Sequence, residues 1–489
     1  MRILFVTSEA YPLIKTGGLA DVSGSLPAAL RKLGEDVRIL IPGYRQVLEK
    51  LHNQREVAKL DQLPMIGTAT LVMGEMPGTG VPVLTIVSSA LYEREGGPYH
   101  DAQDRDWADN ALRFGILSRV AALLSTQASP LPGWIPDITH LNDWQSGLAA
   151  AYMYYSGVPH AKSVLGIHNL AFQGGFPEEW VHLLGLPVES YNIHGLEYYG
   201  QMSFLKAGIY YSDSITTVSQ SYAQEIQTAE FGCGMQGLLS TRSKDIRGIL
   251  NGIETEEWDP ATDPHLAKNY DADNLSGKKA VKKALQRQLG LRIDAKSPLL
   301  GVVSRLTYQK GLDMFLNCAE DLLGDGAQIV VLGGGEPTLE MGFKNLAMCY
   351  PHKVSTTIGY NEPLSHRIMA GADIFIMPSR FEPCGLNQMY GLAYGTPPVV
   401  RRTGGLANSV HDTDSSSLKD GSATGFVFQE ASIPALLSCI RRAIDCYHDN
   451  KTWQSIQRHG MSRDLGWDQS ARAYLEVYRS LARMFHKFA

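Results

Sequence analysis

Two cations in the second half of the sequence have the spacing of an anion clamp. Arg305 and Lys310 stand five positions apart, after an apolar run and directly before Gly311. Fixed positive charges beside a glycine turn can stabilise a departing diphosphate, and electrostatic stabilisation is usually the largest catalytic contribution. A single Arg/Lys pair is more often an exposed ion-pair loop, so this prediction depends on the residues around it.

A carboxylate that follows a later apolar run is the second candidate group. Glu382 precedes Pro383, which donates no backbone hydrogen bond and stiffens the turn. A carboxylate held in such a turn can bind sugar hydroxyl groups, whereas an ordinary solvated carboxylate is the alternative. The sequence thus places a candidate sugar ligand and a candidate phosphate clamp in the same half of the chain.

Polar residues of the first half follow the ends of predicted strands. His168 and Asn169 come after one apolar run, and Asp143 comes after another, directly before Trp144. His168 can hold a sugar through its side chain or its backbone, although a lone histidine in such a place is more often structural. Asp143 fits the N-cap of a helix equally well.

A pentapeptide, Thr-Gly-Gly-Leu-Ala, occurs twice, at residues 16–20 and 403–407. A cation precedes each copy, Lys15 in the first and Arg402 in the second. A glycine pair between a strand and a helix lets the backbone approach a ligand and directs free N–H groups at an anion. We predict that both copies are phosphate-facing turns, with a plain tight turn as the alternative for each.

A loop rich in glycine and aromatic residues, 91–100, contains Tyr92 and Tyr99. Aromatic faces pack against the C–H faces of sugars while their polar edges stay hydrated. The loop is therefore a candidate sugar platform, and an ordinary surface loop is the alternative.

Several familiar catalytic motifs are absent from the sequence. No G-x-x-x-x-G-K-[ST] is present, and neither half opens with a G-x-G-x-x-G followed by an acid, which argues against P-loop hydrolysis and dinucleotide redox chemistry. No G-x-S-x-G elbow supports acyl hydrolysis. The six cysteines have no zinc-site spacing, so we predict no metal site and read them as reduced thiols of a cytosolic protein.

Length and composition predict two α/β domains. At 489 residues with 44% hydrophobic content, the chain exceeds the size of one core. Short apolar runs alternate with helical patterns, as in parallel βαβ units. The predicted strands are residues 3–6, 36–41, 81–87, 138–141, 163–167 and 214–218 in the first half and 298–303, 327–332, 354–358, 374–377 and 398–400 in the second.

Charge and hydropathy exclude several partner classes. The net charge of −6 comes without a basic stripe, which argues against nucleic acid. No apolar run approaches a membrane span and no leader peptide opens the chain, so we expect a cytoplasmic protein without a membrane partner. A stretch rich in Asp, Pro and Thr, residues 254–270, is predicted to link domains at 1–253 and 271–465.

Taken together and in order, four motifs resemble those of the bacterial glycogen synthases, relatives of the plant starch synthases. The resemblance runs from Met1 to the final helix. The motifs are Lys-Thr-Gly-Gly-Leu-Ala-Asp-Val at 15–22, His-Asn-Leu-Ala-Phe-Gln-Gly at 168–174, Ser-Arg-Leu-Thr-Tyr-Gln-Lys-Gly at 304–311, and 378–388 continuing into Tyr-Gly-Thr-Pro-Pro at 394–398. The resemblance implies the GT-B fold, with two Rossmann-like doubly wound domains around a deep cleft and a last helix, residues 466–489, that crosses back to the first domain.

The resemblance also implies an activity. Members of this family transfer glucose from ADP-glucose to the nonreducing 4-hydroxyl of an α-1,4-glucan, with retention of configuration and without a metal or other cofactor. The first domain would then serve the glycogen acceptor and the second the nucleotide sugar. Because no residue that reads the base can be isolated, UDP-glucose stays open as the donor.

Site residues follow from the resemblance position by position. The catalytic candidates are Arg305 and Lys310 on the departing ADP, Glu382 on the donor glucose, His168 beside the anomeric carbon, and Asp143 on the acceptor. The candidates for substrate binding are Lys15, Gly17, Gly18, Asp21, Asn169, Cys384, Gly385, Leu386, Thr403, Gly404 and Gly405, with Tyr92 and Tyr99 as sugar-stacking rings.

The sequence leaves two further alternatives. A glycogen phosphorylase would need a lysine-bound pyridoxal cofactor and a much longer chain. A catalytically silent glucan-binding subunit is disfavoured because Lys15, Arg305, Lys310 and Glu382 are all present. Oligomeric state and allosteric control are not predicted.

Overall fold

A computed structural model describes residues 1–485, with side chains described as far as residue 482. The chain divides into two compact units. The first comprises Met1–Ile249 together with the C-terminal stretch that begins at Trp467, and the second is Leu250–Gly466.

The strands of the first unit form a nine-stranded sheet and a small three-stranded one. In chain order they are β1 (Arg2–Val6), β2 (Asp36–Pro42), β3 (His52–Leu63), β4 (Gly67–Glu75), β5 (Pro82–Val87), β6 (Ile138–Asn142), β7 (Lys162–Ile167), β8 (Gly175–Phe176), β9 (Glu197–Tyr198), β10 (Gln201–Ser203), β11 (Ser214–Thr217) and β12 (Ile246–Gly248). The large sheet has the order β12-β11-β7-β6-β1-β2-β5-β4-β3, and the small one β8-β10-β9.

All six strands predicted for this half are present, and their parallel pairing follows from their apolar runs, which are buried on both faces. The antiparallel strands β3 and β4 were not predicted. Most residues of β3 are exposed and polar, so the strand shows no apolar pattern.

Helices connect the parallel strands and cover the sheet. They are α1 (Gly18–Lys32), α2 (Arg45–Lys50), α3 (Ser89–Tyr92), α4 (Asn110–Leu124), α5 (Asp143–Tyr155), α6 (Glu179–Leu183), α7 (Phe204–Tyr211), α8 (Gln220–Glu225) and α9 (Gln236–Thr241), with 3-10 turns at Val188–Ser190 and Ser243–Asp245. Chain order reverses between β6 and β1, and this switch point is where doubly wound sheets bind ligands.

The second unit has one six-stranded parallel sheet. Its strands are β13 (Leu299–Val303), β14 (Gln328–Gly333), β15 (Val354–Ile358), β16 (Ile374–Met377), β17 (Pro398–Arg401) and β18 (Phe426–Phe428). Its helices are α10 (Ser276–Gln288), α11 (Leu312–Gly324), α12 (Pro337–Cys349), α13 (Glu362–Gly371), α14 (Asn387–Ala393), α15 (Gly404–Ser409), α16 (Ser415–Asp420), α17 (Ile433–His448) and α18 (Asn450–Met461), with a 3-10 turn at Tyr308–Lys310. The order β15-β14-β13-β16-β17-β18 places the switch point between β13 and β16.

The last helix, α19 (Trp467–Phe485), packs on the first unit. Tyr474 and Tyr478 are buried, and the Tyr478 hydroxyl lies 2.6 Å from Nδ1 of His140 on β6. The final residues of the predicted helix, 486–489, lie outside the described residues.

The predicted linker differs from the structure, because residues 254–270 belong to the second unit. Asp263 and Tyr270 are buried there, and Tyr270 donates a hydrogen bond to the carbonyl of Tyr394. A sequence rich in Asp, Pro and Thr therefore folds onto the domain instead of spanning a gap.

All six cysteines are free thiols, as predicted. Within residues 1–485, no helix combines the length and the apolar character needed to cross a bilayer.

Candidate active site

An ion pair lies at the switch point of the second unit. Lys310 follows β13, Glu382 follows β16, and Lys310 Nζ lies 2.5 Å from Glu382 Oε2. The side chains are only 15% and 8% exposed. Because β13 and β16 are parallel neighbours, their carboxyl ends bring these two loops together. Two predicted catalytic residues thus form one contact.

Glu382 is held from a second side as well. The buried Ser379 hydroxyl donates to the same oxygen, Oε2, at 3.0 Å. Arg305, on the β13 loop, is exposed, and its guanidinium has no hydrogen-bond or ion-pair partner among the described residues. On the β13 loop, Lys310 is thus compensated by Glu382, whereas Arg305 has no partner in the described part of the chain and can bind an anionic ligand directly.

The second Thr-Gly-Gly-Leu-Ala copy packs under the loop that carries Glu382. The N–H of Gly405 donates to the carbonyls of Glu382 and Pro383, both at 3.1 Å. A Cβ on Gly404 would overlap the Glu382 carbonyl oxygen, and one on Gly405 would overlap that of Cys384. Gly404 also has a φ of +43°. These glycines permit close backbone packing, so the prediction that their turn faces a phosphate is wrong for the Gly405 N–H.

The backbone after Glu382 is braced by an amide side chain. The buried Gln388 donates through Nε2 to the carbonyls of Cys384 and Gly385, both at 3.1 Å. The N–H groups of Gly385 and Leu386 donate to no acceptor in the described part of the chain. Those two donors are fixed in direction and available to a ligand. Burial raises the pKa of the Cys384 thiol to about 12, which excludes a thiolate role at neutral pH.

In the first unit, Asp143 joins the ends of β6 and β7. Its Oδ1 accepts the backbone N–H of His168 at 2.7 Å and lies 3.5 Å from that of Asn169. Asp143 is the first residue of α5, with a φ of +53° that is uncommon outside glycine. The N-cap position belongs to Asn142, so the capping alternative for Asp143 is wrong. Burial raises the pKa of Asp143 to about 7, although the two backbone N–H groups lower it.

The His168 ring has a defined tautomer. Asn142 Nδ2 donates to the Val6 carbonyl, so Asn142 Oδ1 faces His168 Nε2, at 2.9 Å. Because that oxygen only accepts, Nε2 carries the proton and Nδ1 keeps its lone pair. Burial lowers the pKa of His168 to about 4. The ring is therefore neutral at pH 7 and offers an acceptor to a hydroxyl group.

The first Thr-Gly-Gly-Leu-Ala copy is held by a residue that the sequence analysis missed. Glu9 Oε2 accepts the N–H groups of Thr16, at 2.6 Å, and Gly17, at 3.0 Å. Glu9 is 4% exposed, and burial raises its pKa while the two backbone hydrogen bonds lower it. The Gly17 N–H, predicted to face a diphosphate, thus already binds an internal carboxylate.

The rest of the first copy is open. A Cβ on Gly17 or Gly18 would meet no atom within 4 Å, and the Gly18 N–H has no acceptor in the part of the chain that is described. Lys15 Nζ lies 2.7 Å from Asp21 Oδ1, and the lysine side chain is 46% exposed. Two predicted binding residues therefore pair with each other at the surface.

Of the two predicted stacking rings, Tyr92 is buried and Tyr99 is half-buried. Tyr92 is 1% exposed and donates its hydroxyl to the Arg113 carbonyl, so the prediction that it stacks on a sugar is wrong. Tyr99 is half-buried, and its hydroxyl lies 2.7 Å from both Ser8 Oγ and Glu9 Oε1. Tyr99 thus supports the residue that holds the first glycine copy.

The missed residues Glu9, Asn142 and Ser379 share one signal. Each stands at or just after the carboxyl end of a parallel strand, β1, β6 and β16 respectively. The rule that ligands bind at these ends would have selected them, but Glu9 and Asn142 lie outside the four motifs, and Ser379, inside the 378–388 motif, was not singled out.

Comparisons with known proteins agree with this architecture. The starch synthase catalytic domain family matches residues 2–241, and the glycosyl transferases group 1 family matches residues 287–459. A glycogen synthase of Nitrosomonas eutropha is 52% identical over 484 residues, covering 98% of this chain and 96% of its own. A glycogen synthase of Nitrosospira multiformis is also 52% identical, covering 98% and 97%.

Solved structures give the same result. The catalytic domain of starch synthase IV from Arabidopsis thaliana, bound to ADP and acarbose, matches with a TM-score of 0.85 and 33% identity, covering 98% of this chain and 99% of its own. A sucrose-phosphate synthase from Thermosynechococcus elongatus matches with a TM-score of 0.57 and 16% identity, covering 98% of both chains, which speaks to the fold alone. The expected GT-B fold is confirmed.

Proposed function

Since this chain belongs to the glycogen synthase family of glycosyltransferases, we propose that it extends an α-1,4-glucan such as glycogen with glucose taken from ADP-glucose. Glucose is added to the nonreducing 4-hydroxyl with retention of configuration, and ADP is released. The observation that carries the proposal is the pairing of Lys310 with Glu382 at the switch point of the second unit, beside Arg305, whose guanidinium has no partner within residues 1–482.

Arg305 and Lys310 act on the diphosphate in this proposal. The free guanidinium of Arg305 binds the phosphates bidentately, as its planar fork allows. Lys310 keeps its contact with Glu382 and adds charge as the bond to the leaving phosphate breaks. Glu382, fixed by Lys310 and Ser379, accepts hydrogen bonds from hydroxyls of the donor glucose. The N–H groups of Gly385 and Leu386 supply donors to the same glucose.

Retention follows from attack on the face of the sugar that the phosphate leaves. The glucan 4-oxygen forms the new bond to the anomeric carbon as the bond to the ADP oxygen breaks, and that phosphate oxygen takes the proton of the 4-hydroxyl. No protein carboxylate bonds to the sugar, so the step relies on the cations at the phosphate. This route uses no metal or other cofactor.

His168 orients the donor glucose in this scheme. Its neutral ring directs the Nδ1 lone pair at a hydroxyl, and Asn142 fixes the ring through Nε2. Asp143 holds the His168 backbone, so we assign it a positioning role. Its predicted contact with the acceptor stays a prediction. Lys15 and Asp21 remain proposed donor-binding residues, which would exchange their mutual ion pair for contact with the substrate.

Incorporation of radiolabelled glucose into glycogen tests the proposal. The purified protein is supplied with ADP-glucose or UDP-glucose at matched concentrations. The radioactivity in the polymer and the amount of released nucleotide are both measured. We expect label and ADP in equal amounts, with ADP-glucose the faster donor. Faster incorporation from UDP-glucose would overturn the donor assignment. Glycogen binding without nucleotide release would instead show a glucan-binding subunit.

A further inference from the structure

Three potential metal ligands meet on the second unit, among residues that the proposed reaction does not use. They are Glu257, in the segment before α10, and Glu362 and His366, one turn apart on α13. One carboxylate oxygen of each glutamate and one ring nitrogen of the histidine lie within 4.8 Å of one another. Carboxylates often cluster at surfaces without a ligand, so the histidine decides whether this cluster is a site.

His366 has a buried ring nitrogen without a protein partner. The residue is 2% exposed, and no described residue forms a hydrogen bond with its Nε2. Leaving a buried polar atom unpaired costs free energy, so most such atoms have a partner. Nε2 needs either a ligand or a hydrogen-bond partner from outside the chain.

The other ring nitrogen is fixed by a carboxylate. His366 Nδ1 lies 2.7 Å from Asp263 Oδ2, which also accepts the Tyr394 hydroxyl at 2.5 Å. Burial raises the pKa of Asp263, but the hydrogen bonds from His366 and Tyr394 outweigh it and the net pKa is lowered. Asp263 is thus ionised at neutral pH, and Nδ1 donates to it. A carboxylate on one imidazole nitrogen orients the other toward a metal in many protein sites.

The two glutamates have a reason to share a cation. Burial, the negative charge of Glu362 and a hydrogen bond with Glu362 all raise the pKa of Glu257. His366 lowers it, but the net pKa is raised. Either a proton or a cation can relieve the repulsion between two adjacent carboxylates. A cation would use the His366 Nε2 lone pair as well, whereas a proton shared by the glutamates leaves Nε2 unpaired.

We propose that Glu257, Glu362 and His366 bind a divalent transition-metal ion, with Zn²⁺ as the best match. One imidazole nitrogen and two carboxylate oxygens suit this borderline ion, whereas Mg²⁺ and Ca²⁺ prefer oxygen ligands alone. Water completes the tetrahedron. Zinc bonds of about 2.0–2.2 Å place two ligand atoms about 3.4 Å apart, so any ligand atom that lies farther than this from the others must move closer. The exposed side chain of Glu257 can make that movement.

The site has a structural consequence for the chain between the unit boundary at Leu250 and α10. Trp258 stacks on the His366 ring with centroids 3.9 Å apart, and Asp263 bonds the same ring. A metal on Glu257 adds a further attachment between this segment and α13, beside those of Trp258, Asp263 and the His265 carbonyl, which accepts from Arg367. Ion binding thus stabilises the folded second unit, because the ligands are brought together only when the segment is docked.

Metal content and thermal unfolding of the full-length protein test the site. Chelator-treated protein is titrated with Zn²⁺ while bound metal and Tm are measured, in a background where the exposed Cys233 and Cys349 are replaced by serine. We expect one ion per chain and a rise in Tm with Zn²⁺ but not with Mg²⁺. Substituted Co²⁺ should show the visible absorption of a tetrahedral site.

Conservative variants locate the ion. Glu257→Gln and Glu362→Gln should each weaken Zn²⁺ binding by about 10-fold or more. Glu256→Gln, at the exposed neighbouring glutamate, serves as the matched control and should bind as the parent does. Because these variants keep the Asp263–His366 contact, they should fold. His366→Asn is the more disruptive variant and should abolish the Co²⁺ spectrum.

Three outcomes would overturn the proposal. One is the absence of stoichiometric Zn²⁺ binding. Another is unchanged binding in both Glu257→Gln and Glu362→Gln. The third is a titration in which Glu257 and Glu362 share one proton and the titration curve does not change when Zn²⁺ is added. None of these outcomes bears on glucosyl transfer, which is assayed separately.

Discussion

The two Thr-Gly-Gly-Leu-Ala copies share a sequence but are held in opposite ways. In the first copy, a side-chain carboxylate, Glu9, accepts the N–H groups of Thr16 and Gly17, and the glycines have open space around them. In the second copy, the Gly405 N–H donates to main-chain carbonyls, and both glycines touch the loop that carries Glu382.

This difference separates two uses of a glycine pair. The first copy needs no glycine for packing, so its small residues leave room for something outside the chain. The second copy needs glycine because the neighbouring backbone occupies the space of a Cβ. The first turn is therefore a candidate for ligand contact, and the second is a brace for the loop that carries Glu382.

The largest effect is expected at the group that the second copy supports. The second copy packs under the loop of Glu382, and Glu382 in turn positions Lys310. If Lys310 stabilises the departing phosphate, Lys310→Gln should lower kcat by about 10²–10³-fold. Glycogen binding should persist. Steady-state kinetics and a glycogen co-sedimentation assay measure the two quantities. The glutamine keeps a donor for Glu382, so the fold should survive.

Lys268→Ala, at an exposed lysine of the same unit, is the control. Equal turnover in Lys310→Gln and the parent protein would remove Lys310 from the mechanism. Loss of glycogen binding together with turnover would place the lysine on the acceptor instead.

The next effect contrasts the glycines directly. Gly405→Ala should lower the free energy of unfolding by about 3 kcal/mol, since the new Cβ overlaps the Cys384 carbonyl and overpacking costs this much. Gly18→Ala is the matched variant in the first copy. It should leave stability unchanged or raise it by up to about 1 kcal/mol, because alanine favours the first turn of α1. Urea unfolding measures both values.

Similar losses in the two variants would show that the copies are equivalent after all. A stable Gly405→Ala protein with normal activity would mean that the loop carrying Glu382 tolerates displacement.

The sequence predicts the buried strands of this fold better than its contacts. The eleven predicted strands are all present, because a buried parallel strand leaves an apolar run that can be read directly. The same reasoning missed β3, whose side chains are mostly exposed. The sequence placed Lys310 and Glu382 in the same half of the chain, and their contact follows from the shared edge at which parallel neighbouring strands end.

The sequence does not predict which residues hold each of the two glycine turns. The repeated pentapeptide is identical in the two copies, yet Glu9 holds one and the chain at 382–384 packs on the other. The glycine-rich loop likewise predicts that the Tyr92 ring lies at the surface. In the structure the ring is buried, and its hydroxyl donates to the Arg113 carbonyl. Such contacts depend on how the elements pack, and local sequence carries no signal of it.

A smaller effect is expected when the charge that holds the first copy is removed. Glu9→Gln keeps an oxygen for Thr16 and Gly17, and its amide can donate to the Tyr99 hydroxyl. The fold should therefore tolerate the change. If this turn faces the anionic donor, losing a negative charge should lower KM for ADP-glucose by about 2–5-fold, as a screened interaction of about 0.5–1 kcal/mol gives.

Initial rates at varied ADP-glucose, at two salt concentrations, measure this effect, which should shrink at high salt. Glu75→Gln, at a carboxylate on β4, is the control. A higher KM in Glu9→Gln would mean that the carboxylate serves the donor by ordering the turn.

The smallest effect concerns pH and rests on the other carboxylate of the first unit. Backbone carbonyls hold the second copy and do not titrate, whereas Asp143 holds the 168–169 loop with a pKa raised to about 7. At pH 7 about half of the molecules are ionised, so activity should be about half its alkaline value and fall further in acid. Asp143→Asn keeps an acceptor for the His168 N–H and should lose this acid limb. His168, with a pKa of about 4, does not titrate in this range.

Stability should change in the opposite sense. The pKa of Asp143 is raised on folding from about 3.9, so the folded state binds the proton more tightly and burial of the ionised form is a cost. That cost is absent below about pH 4 and complete above about pH 7. As pH rises from 4 to 8, the urea midpoint of Asp143→Asn should therefore increase relative to that of the parent protein. The difference between the two proteins isolates this group, because the buried Lys278, whose pKa burial lowers to about 7, titrates equally in both. A constant difference across this range would mean that Asp143 is ionised throughout, so that its contact with the 168–169 loop is as insensitive to pH as the backbone contacts of the second copy.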